Sequence, residues 1–158
     1  MLGRYRAVVP GVPVPWHPVV HRKGKHSSIA ASPESLAYQA LVGRCCWLAV
    51  RSVGGERVLG ACEVVATLVF PRPRHARGEH AGRPDGRYPH HVAPDVDKVA
   101  RNVLDGLQLY SVLGRAPGRG VIEDDARVAA LTLRAWYAAE GELPHAVIEW
   151  GALGCKQP

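Results

Sequence analysis

The stretch Asp95-Val96-Asp97-Lys98-Val99-Ala100-Arg101-Asn102-Val103-Leu104-Asp105-Gly106-Leu107 repeats a charged residue every fourth position, from Asp97 through Arg101 to Asp105. With 3.6 residues per turn, these three side chains fall on nearly one face of an α-helix, and the valines and leucines fall mainly on another. The stretch therefore predicts a helix with a charged face, which is the candidate functional face, and an apolar face that packs in the core.

Patterns on both sides of this helix predict the rest of the fold. Residues 5–9, 61–70, 128–137 and 146–150 are rich in apolar and β-branched residues and predict strands, the last two as candidate neighbours. Ser32-Pro33-Glu34 predicts the start of a second helix that runs to about residue 51, because serine caps helices and proline suits the first position. Polar or Pro- and Gly-rich composition predicts loops at residues 17–28 and 72–94.

The predicted order is strand, helix, strand, helix, strand, strand. This order indicates the α+β class, with a mixed β-sheet packed by helices in a single domain over residues 1–158. A chain of 158 residues buries about two-thirds of its unfolded surface and needs no disulfide to fold.

Positive charge is concentrated in two parts of a chain whose formal net charge is +6. Residues 1–30 contain basic residues and no acid, and residues 71–91 are rich in arginine and histidine. Such blocks suit a phosphate backbone, although a solubilising surface is the open alternative. The predicted DNA contacts are Arg22, Lys23, Lys25, Arg72, Arg74, Arg77 and Lys98.

Membrane and secreted classes fit the sequence poorly. No apolar run approaches the roughly 20 residues that cross a bilayer, and the first six residues lack the apolar core of a signal peptide. The expectation is a cytoplasmic protein without a membrane partner.

Two acidic groups suggest a site for a hard divalent cation. Asp95 and Asp97 stand at the start of the predicted helix, and Glu123-Asp124-Asp125 precedes a strand. Asp97 and Asp105 would lie about 12 Å apart along the helix axis, so Asp95, Asp97 and one downstream acid form the better ligand set, with Asp105 secondary. Helix capping by Asp95 or Asp97 is the open alternative.

Residues 94–107, followed by Ile122-Glu123-Asp124-Asp125-Ala126-Arg127-Val128, resemble the RusA family of Holliday junction resolvases. That family carries D-x-D-N-x-x-K-x-x-x-D-x-L and then D-D-x-x-V, and the match covers mainly residues 94–128. The resemblance implies that Asp95, Asp97 and Asp125 bind Mg²⁺, for which Mn²⁺ could substitute, and that Asp105 and Asp124 support them. It also implies a homodimer that cuts branched DNA, in bacteria or phage-infected bacteria.

Two positions depart from the family pattern. Arg101 stands where the family has lysine; it keeps the positive charge and can bind phosphate through two hydrogen bonds, but it cannot give up a proton. Lys98 stands where the family has asparagine. Outside the motif, Trp16 lies beside the basic segment and is the tryptophan most suited to stack on a base.

The expected function is a Mg²⁺-dependent endodeoxyribonuclease that resolves four-way junctions during DNA recombination and repair. One alternative is a branched-DNA-binding protein in which the same acids cap a helix and hold a structural cation. The other is a metal-dependent nuclease with less selectivity for structure.

Overall fold

The computed structural model describes residues 4–73, 86–90, 92, 94–110 and 118–154. Eleven helices and strands follow one another along these ranges, and a 3₁₀ turn at Asp125–Arg127 leads into the eighth strand. In chain order they are β1 (Tyr5–Pro10), β2 (Pro18–Lys23), β3 (His26–Ala31), α1 (Pro33–Ser52), β4 (Cys62–Phe70), β5 (Tyr88–Pro89), α2 (Val96–Gln108), β6 (Leu109–Tyr110), β7 (Gly118–Arg119), β8 (Val128–Tyr137) and β9 (His145–Ala152).

The main sheet has five strands in the order β1-β9-β4-β8-β5. β4 and β8 are parallel and the other pairs are antiparallel, so the predicted mixed sheet and α+β class are confirmed. The expectation that β8 and β9 are neighbours is wrong, because β4 lies between them. β4 is the strand with the longest apolar, buried run, and a central position covers both of its edges.

Both helices contribute to one core with the sheet. Tyr38, Val42 and Cys46 of α1 are buried in it, together with Val99 and Val103 of α2. The two helices approach closely at Gly106, where a Cβ atom would lie 2.7 Å from the Gln39 carbonyl oxygen and 2.8 Å from the Val42 Cβ. This close approach brings the middle of α1 against the charged helix.

The predicted start of α1 is confirmed. The Ser32 side chain accepts a hydrogen bond from the Ser35 amide at 3.2 Å, and Pro33 occupies the first turn. This cap satisfies one of the amide groups that have no partner within the helix.

Residues 17–28 were predicted to form a loop, and this prediction is wrong. β2 and β3 form an antiparallel hairpin there, joined by the two-residue turn Gly24-Lys25. Gly24 has a φ of +63°, which glycine adopts without the penalty that a side chain imposes. Val19, Val20 and Ile29 supply β-branched residues on both sides of this turn.

The long basic segment is described in part. Tyr88–Pro89 forms β5 on the edge of the sheet, where the sequence predicts only loop. Arg74 and Arg77, two of the predicted DNA contacts, lie outside the described residues. In the described ranges, neither helix combines the length and the apolar character that a membrane crossing requires.

Candidate functional site

The charged face of α2 lines a cavity of about 430 Å³. Asp97, Arg101 and Asp105 come from successive turns of the helix, and Asp125 comes from the 3₁₀ turn before β8. Ala100, Leu104, Leu131 and Leu133 supply the apolar part of the lining. This acidic cavity therefore brings together four of the predicted site residues from two separate parts of the chain.

Asp95 is not among the residues that line the acidic cavity. Its carboxylate is 62% exposed and forms an ion pair with the Lys98 ammonium at 2.9 Å. This pair raises the pKa of Lys98, through a hydrogen bond first and charge attraction second. The Asp95 carbonyl accepts the first hydrogen bond of α2, from the Val99 amide at 3.4 Å, so Asp95 occupies the N-cap position.

Asp105 is held by a side chain from the other helix. Gln39 Nε2 donates hydrogen bonds to Asp105 Oδ2 at 3.0 Å and to Asn102 Oδ1 at 2.9 Å. Partial burial raises the pKa of Asp105, the positive charge of Arg101 lowers it, and the negative charge of Asp125 raises it. Arg101 and Asp125 therefore act in opposite directions on the pKa of Asp105.

Arg101 is positioned by an aromatic ring. Its guanidinium carbon lies 3.7 Å from the centre of a Trp16 ring, the distance of a cation–π contact. Trp16 in turn donates its backbone N–H to the Lys98 carbonyl at 2.9 Å. The guanidinium can lie flat on this ring while its N–H groups remain at the edge, available to a phosphate.

A buried amide links the Pro-rich segment to α2. Asn102 is fully buried, and its Nδ2 donates to the Val14 carbonyl at 2.9 Å while its Oδ1 accepts from Gln39. Neither Gln39 nor Asn102 was predicted from the sequence as a site residue. The available signal is a polar residue among apolar neighbours: Asn102 precedes Val103, and Gln39 follows Tyr38, both of them core residues.

The acids before β8 have different partners. Asp124 caps the 3₁₀ turn, with its Oδ1 accepting from the Ala126 amide at 2.8 Å. This hydrogen bond is the main reason that the pKa of Asp124 is lowered, followed by a hydrogen bond with Asp125 and the charge of Arg127. Asp124 therefore orients the turn, whereas Asp125 lines the cavity.

Arg57 holds the backbone that leads into this turn, and the sequence did not predict this role. Its guanidinium donates to the Ile122 carbonyl at 2.9 and 3.1 Å and to the Glu123 carbonyl at 3.1 Å. Three hydrogen bonds from one side chain fix the backbone that delivers Asp125. A single arginine in the loop after α1 gives no sequence signal of this role.

The carboxylates of the acidic cavity suit a cation that also binds water and a substrate phosphate. Among the described residues, no group of three or more His, Cys, Asp or Glu side chains is arranged to hold a metal ion. Mg²⁺ usually keeps several waters and binds through one or two carboxylates plus substrate phosphates. Two of the cavity carboxylates, Asp97 and Asp125, are oxygen donors of the kind that such a cation takes, and the ligand set Asp95, Asp97 and Asp125 remains a prediction.

Of the predicted DNA contacts that the structure describes, three lie on the β2–β3 hairpin, Arg72 follows β4, and Lys98 lies on α2. Arg22, Lys23 and Lys25 are exposed on the β2–β3 hairpin. Arg72 is partly buried, and its Nη1 lies 3.4 Å from both the Gly86 and Ala138 carbonyl oxygens, so it also has a structural role in joining the basic segment to the end of β8.

A second cavity, also of about 430 Å³, has an apolar lining. Four residues of the Pro-rich segment, Val12–Pro15, contribute to it, together with Phe70 and Tyr137. His90 also lines it and stacks on Phe70 with ring centres 4.2 Å apart. Among the described residues, no aspartate, glutamate, lysine or arginine belongs to this lining.

No protein-family model matches this chain, and no curated protein is significantly similar to it. The likeness to RusA-type resolvases therefore rests on the motif residues themselves.

Proposed function

We propose that the protein is a Mg²⁺-dependent endodeoxyribonuclease that cuts four-way DNA junctions by paired phosphodiester hydrolysis. The observation that carries the proposal is the acidic cavity, in which Asp97, Asp105 and Asp125 face Arg101. Carboxylates beside a guanidinium suit a reaction in which a cation and a phosphate occupy the same space.

Each side chain has a separate task in this proposal. Asp97 and Asp125 would hold the cation, and Asp105, fixed by Gln39, would interact with it only through water. Arg101 would donate hydrogen bonds to the phosphate oxygens and stabilise the charge of the transition state. Because arginine stays protonated, Arg101 would not serve as the acid or the base.

The reaction is a hydrolysis. The oxygen of a water molecule bonds to phosphorus, one P–O ester bond breaks, and the leaving sugar oxygen takes up a proton. A bound Mg²⁺ supplies positive charge that makes water more acidic and offsets the charge of the phosphate.

The expected partners follow from the substrate. Resolution needs cuts in two opposed strands, which a two-fold homodimer would supply through two equivalent sites. Duplex DNA would be held mainly through its phosphates, so affinity would fall as salt rises, and junction selectivity would come from the shape of the branch point. The compartment proposed for junction cleavage is the bacterial cytoplasm, including that of phage-infected cells.

A non-catalytic DNA-binding protein is the second candidate, and two observations favour it. The Asp95 carboxylate pairs with Lys98 and the Asp124 carboxylate caps the 3₁₀ turn, so two of the acids have partners without any cation. In that case, neutralising the acids would leave DNA affinity unchanged or would raise it.

The test is cleavage of an immobile-core junction, a mobile-core junction, a flap and a linear duplex, each with Mg²⁺ or with EDTA. The proposal predicts paired cuts near the branch point in Mg²⁺ and none in EDTA. Comparable cutting of every substrate would indicate a less selective nuclease. Binding of junctions without cutting in Mg²⁺ or Mn²⁺ would favour the DNA-binding protein.

A further inference from the structure

The β2–β3 hairpin, residues 18–31, is an arm that pairs with no other described strand. All of its residues are exposed except Val19 and Ala31, which are partly buried. A two-stranded hairpin is only marginally stable by itself in water. An arm with both faces exposed is therefore a structure that a partner would stabilise.

The two faces of the arm differ in chemistry. Residues directly opposite each other in an antiparallel pair lie on the same face, and successive residues alternate. The pairs His21–Ser28 and Lys23–His26 therefore share one face, which presents cationic, imidazole and hydroxyl groups. The pairs Val20–Ile29 and Arg22–Ser27 share the other face.

The charge of the arm is entirely positive. The first acidic residue of the chain is Glu34, so residues 1–33 contain none. Arg22, Lys23 and Lys25 cluster at the tip, and none of them forms an ion pair with another described residue. A cluster of uncompensated cations complements a polyanion.

The arm begins and ends beside the acidic cavity. At its base, the Ser32 amide donates to the His17 carbonyl at 2.9 Å, and the His17 amide donates to Ser35 Oγ at 3.0 Å. The preceding residue is Trp16, whose ring contacts Arg101 of the cavity. The arm therefore projects from the segment that positions the cavity guanidinium.

We propose that the arm lies in a groove of duplex DNA next to the cleavage site, with the His21–Lys23 face toward the phosphates. The major groove, about 12 Å wide, admits a two-stranded β-ribbon, and Ser27, Ser28 and Ala30 keep β3 narrow. The inference rests on the proposed function for its DNA substrate. It adds a positioning contact that holds a duplex arm relative to the acidic cavity.

The test measures binding of a fluorescein-labelled four-way junction and a linear duplex in EDTA, where the proposed nuclease cannot cut. The variant Lys23→Ala/Lys25→Ala loses two cations from the arm. Its control, Arg44→Ala/Arg51→Ala, loses two exposed cations from α1, at about 17 and 27 Å from the helix start at Pro33 along the axis. A second arm variant replaces residues 21–28 with Asn-Gly, which closes a shorter hairpin.

Two lost phosphate contacts should reduce the slope of log affinity against log salt by about 2. Between 50 and 200 mM salt, the affinity of the arm variant should therefore fall about tenfold less than that of the intact protein. The same difference is expected on the duplex and on the junction, because the arm contacts a duplex region. The α1 control should keep the slope of the intact protein.

Three results would overturn the inference. If both arm variants bind DNA with the affinity and salt slope of the intact protein, the arm does not contact DNA. If sedimentation shows that Val20→Ser/Ile29→Ser or the shortened arm changes the oligomeric state while the salt slope stays the same, the arm binds a second copy of the chain. If the intact protein binds neither the junction nor the duplex, the proposed function fails as well. This outcome is distinct from the first two, in which the intact protein still binds DNA.

Discussion

The acidic cavity and the apolar cavity have the same volume, about 430 Å³, but among the described residues only the acidic cavity has aspartate and arginine side chains in its lining. The Pro-rich segment touches both regions: Val12–Pro15 line the apolar cavity, and Trp16 contacts Arg101 of the acidic one. Size therefore does not distinguish a candidate site for phosphate chemistry in this protein. The charged side chains do, because carboxylates can bind a cation and a guanidinium can bind a phosphate.

Neutralising an acid of the acidic cavity should have the largest effect. Asp125→Asn is expected to lower junction cleavage on the order of 100-fold or more, with DNA affinity unchanged or raised because a negative charge is lost. Cleavage rates and binding in EDTA measure the two effects separately.

The matched control for Asp125→Asn is Phe70→Leu in the apolar cavity. This buried, large-to-small substitution should cost about 1–3 kcal/mol of unfolding free energy and leave the cleavage rate of the folded protein nearly unchanged. An equal loss of cleavage in Asp125→Asn and Phe70→Leu would contradict the assignment of cleavage to the acidic cavity.

Replacing the cavity guanidinium should have the next largest effect. Arg101→Gln is expected to lower cleavage about 10- to 100-fold through lost stabilisation of phosphate charge, and Arg101→Lys should recover part of it. Trp16→Leu should lower cleavage less, because it removes a contact of about 0.5–1 kcal/mol that positions the guanidinium. If Trp16→Leu is more damaging than Arg101→Gln, the ring has another function, such as base stacking.

Removing the amide that fixes Asp105 should lower stability. Gln39→Leu leaves Asn102 Oδ1 and Asp105 Oδ2 without their shared donor, which should cost about 1–3 kcal/mol in denaturant unfolding. Val92→Ala, at an exposed position of the apolar cavity, is the control and should change stability by less than about 0.5 kcal/mol. Equal losses of unfolding free energy in Gln39→Leu and Val92→Ala would mean that the hydrogen bonds of Gln39 do not stabilise the fold.

The smallest effect concerns pH. Burial raises the pKa of Asp105 above 3.8, so its ionisation opposes folding at neutral pH, and this cost disappears as pH falls through the folded-state pKa. Asp105→Asn should therefore be more stable than the intact protein at pH 7, by less than about 1 kcal/mol because the group is partly exposed and screened. Thermal melts from pH 7 to pH 3 should show this difference shrink; a constant or growing difference would contradict the assignment.

The fold was largely predictable where local signals and packing agree. The Ser32 cap, the helix with Asp97, Arg101 and Asp105 on one face, and β4 and β8 were all indicated by sequence patterns. The hairpin at residues 18–31 was missed because its polar residues outweighed Val19, Val20 and Ile29. The place of β4 between β8 and β9 was missed because strand order depends on burial across the whole sheet.

The site was predictable only in part. Helical spacing indicated that Asp97, Arg101 and Asp105 share a face, and the structure places them in one cavity with Asp125. The roles of Gln39 and Arg57 depend on contacts with residues far along the chain, Asp105 and Ile122, which spacing does not reveal. Asp95 and Asp97 are two residues apart, so they point in different directions on a helix, and spacing from Asp97 alone does not show which one faces Asp125.

The most direct test of the central claim compares the intact protein with Asp97→Asn on one four-way junction. Product formation is followed in Mg²⁺, and binding of the same junction is followed in EDTA. If the acidic cavity hydrolyses DNA, the intact protein should make paired cuts at the branch point, and Asp97→Asn should bind the junction without cutting it. Undiminished cutting by Asp97→Asn would contradict the claim, and so would an intact protein that binds the junction and leaves it uncut.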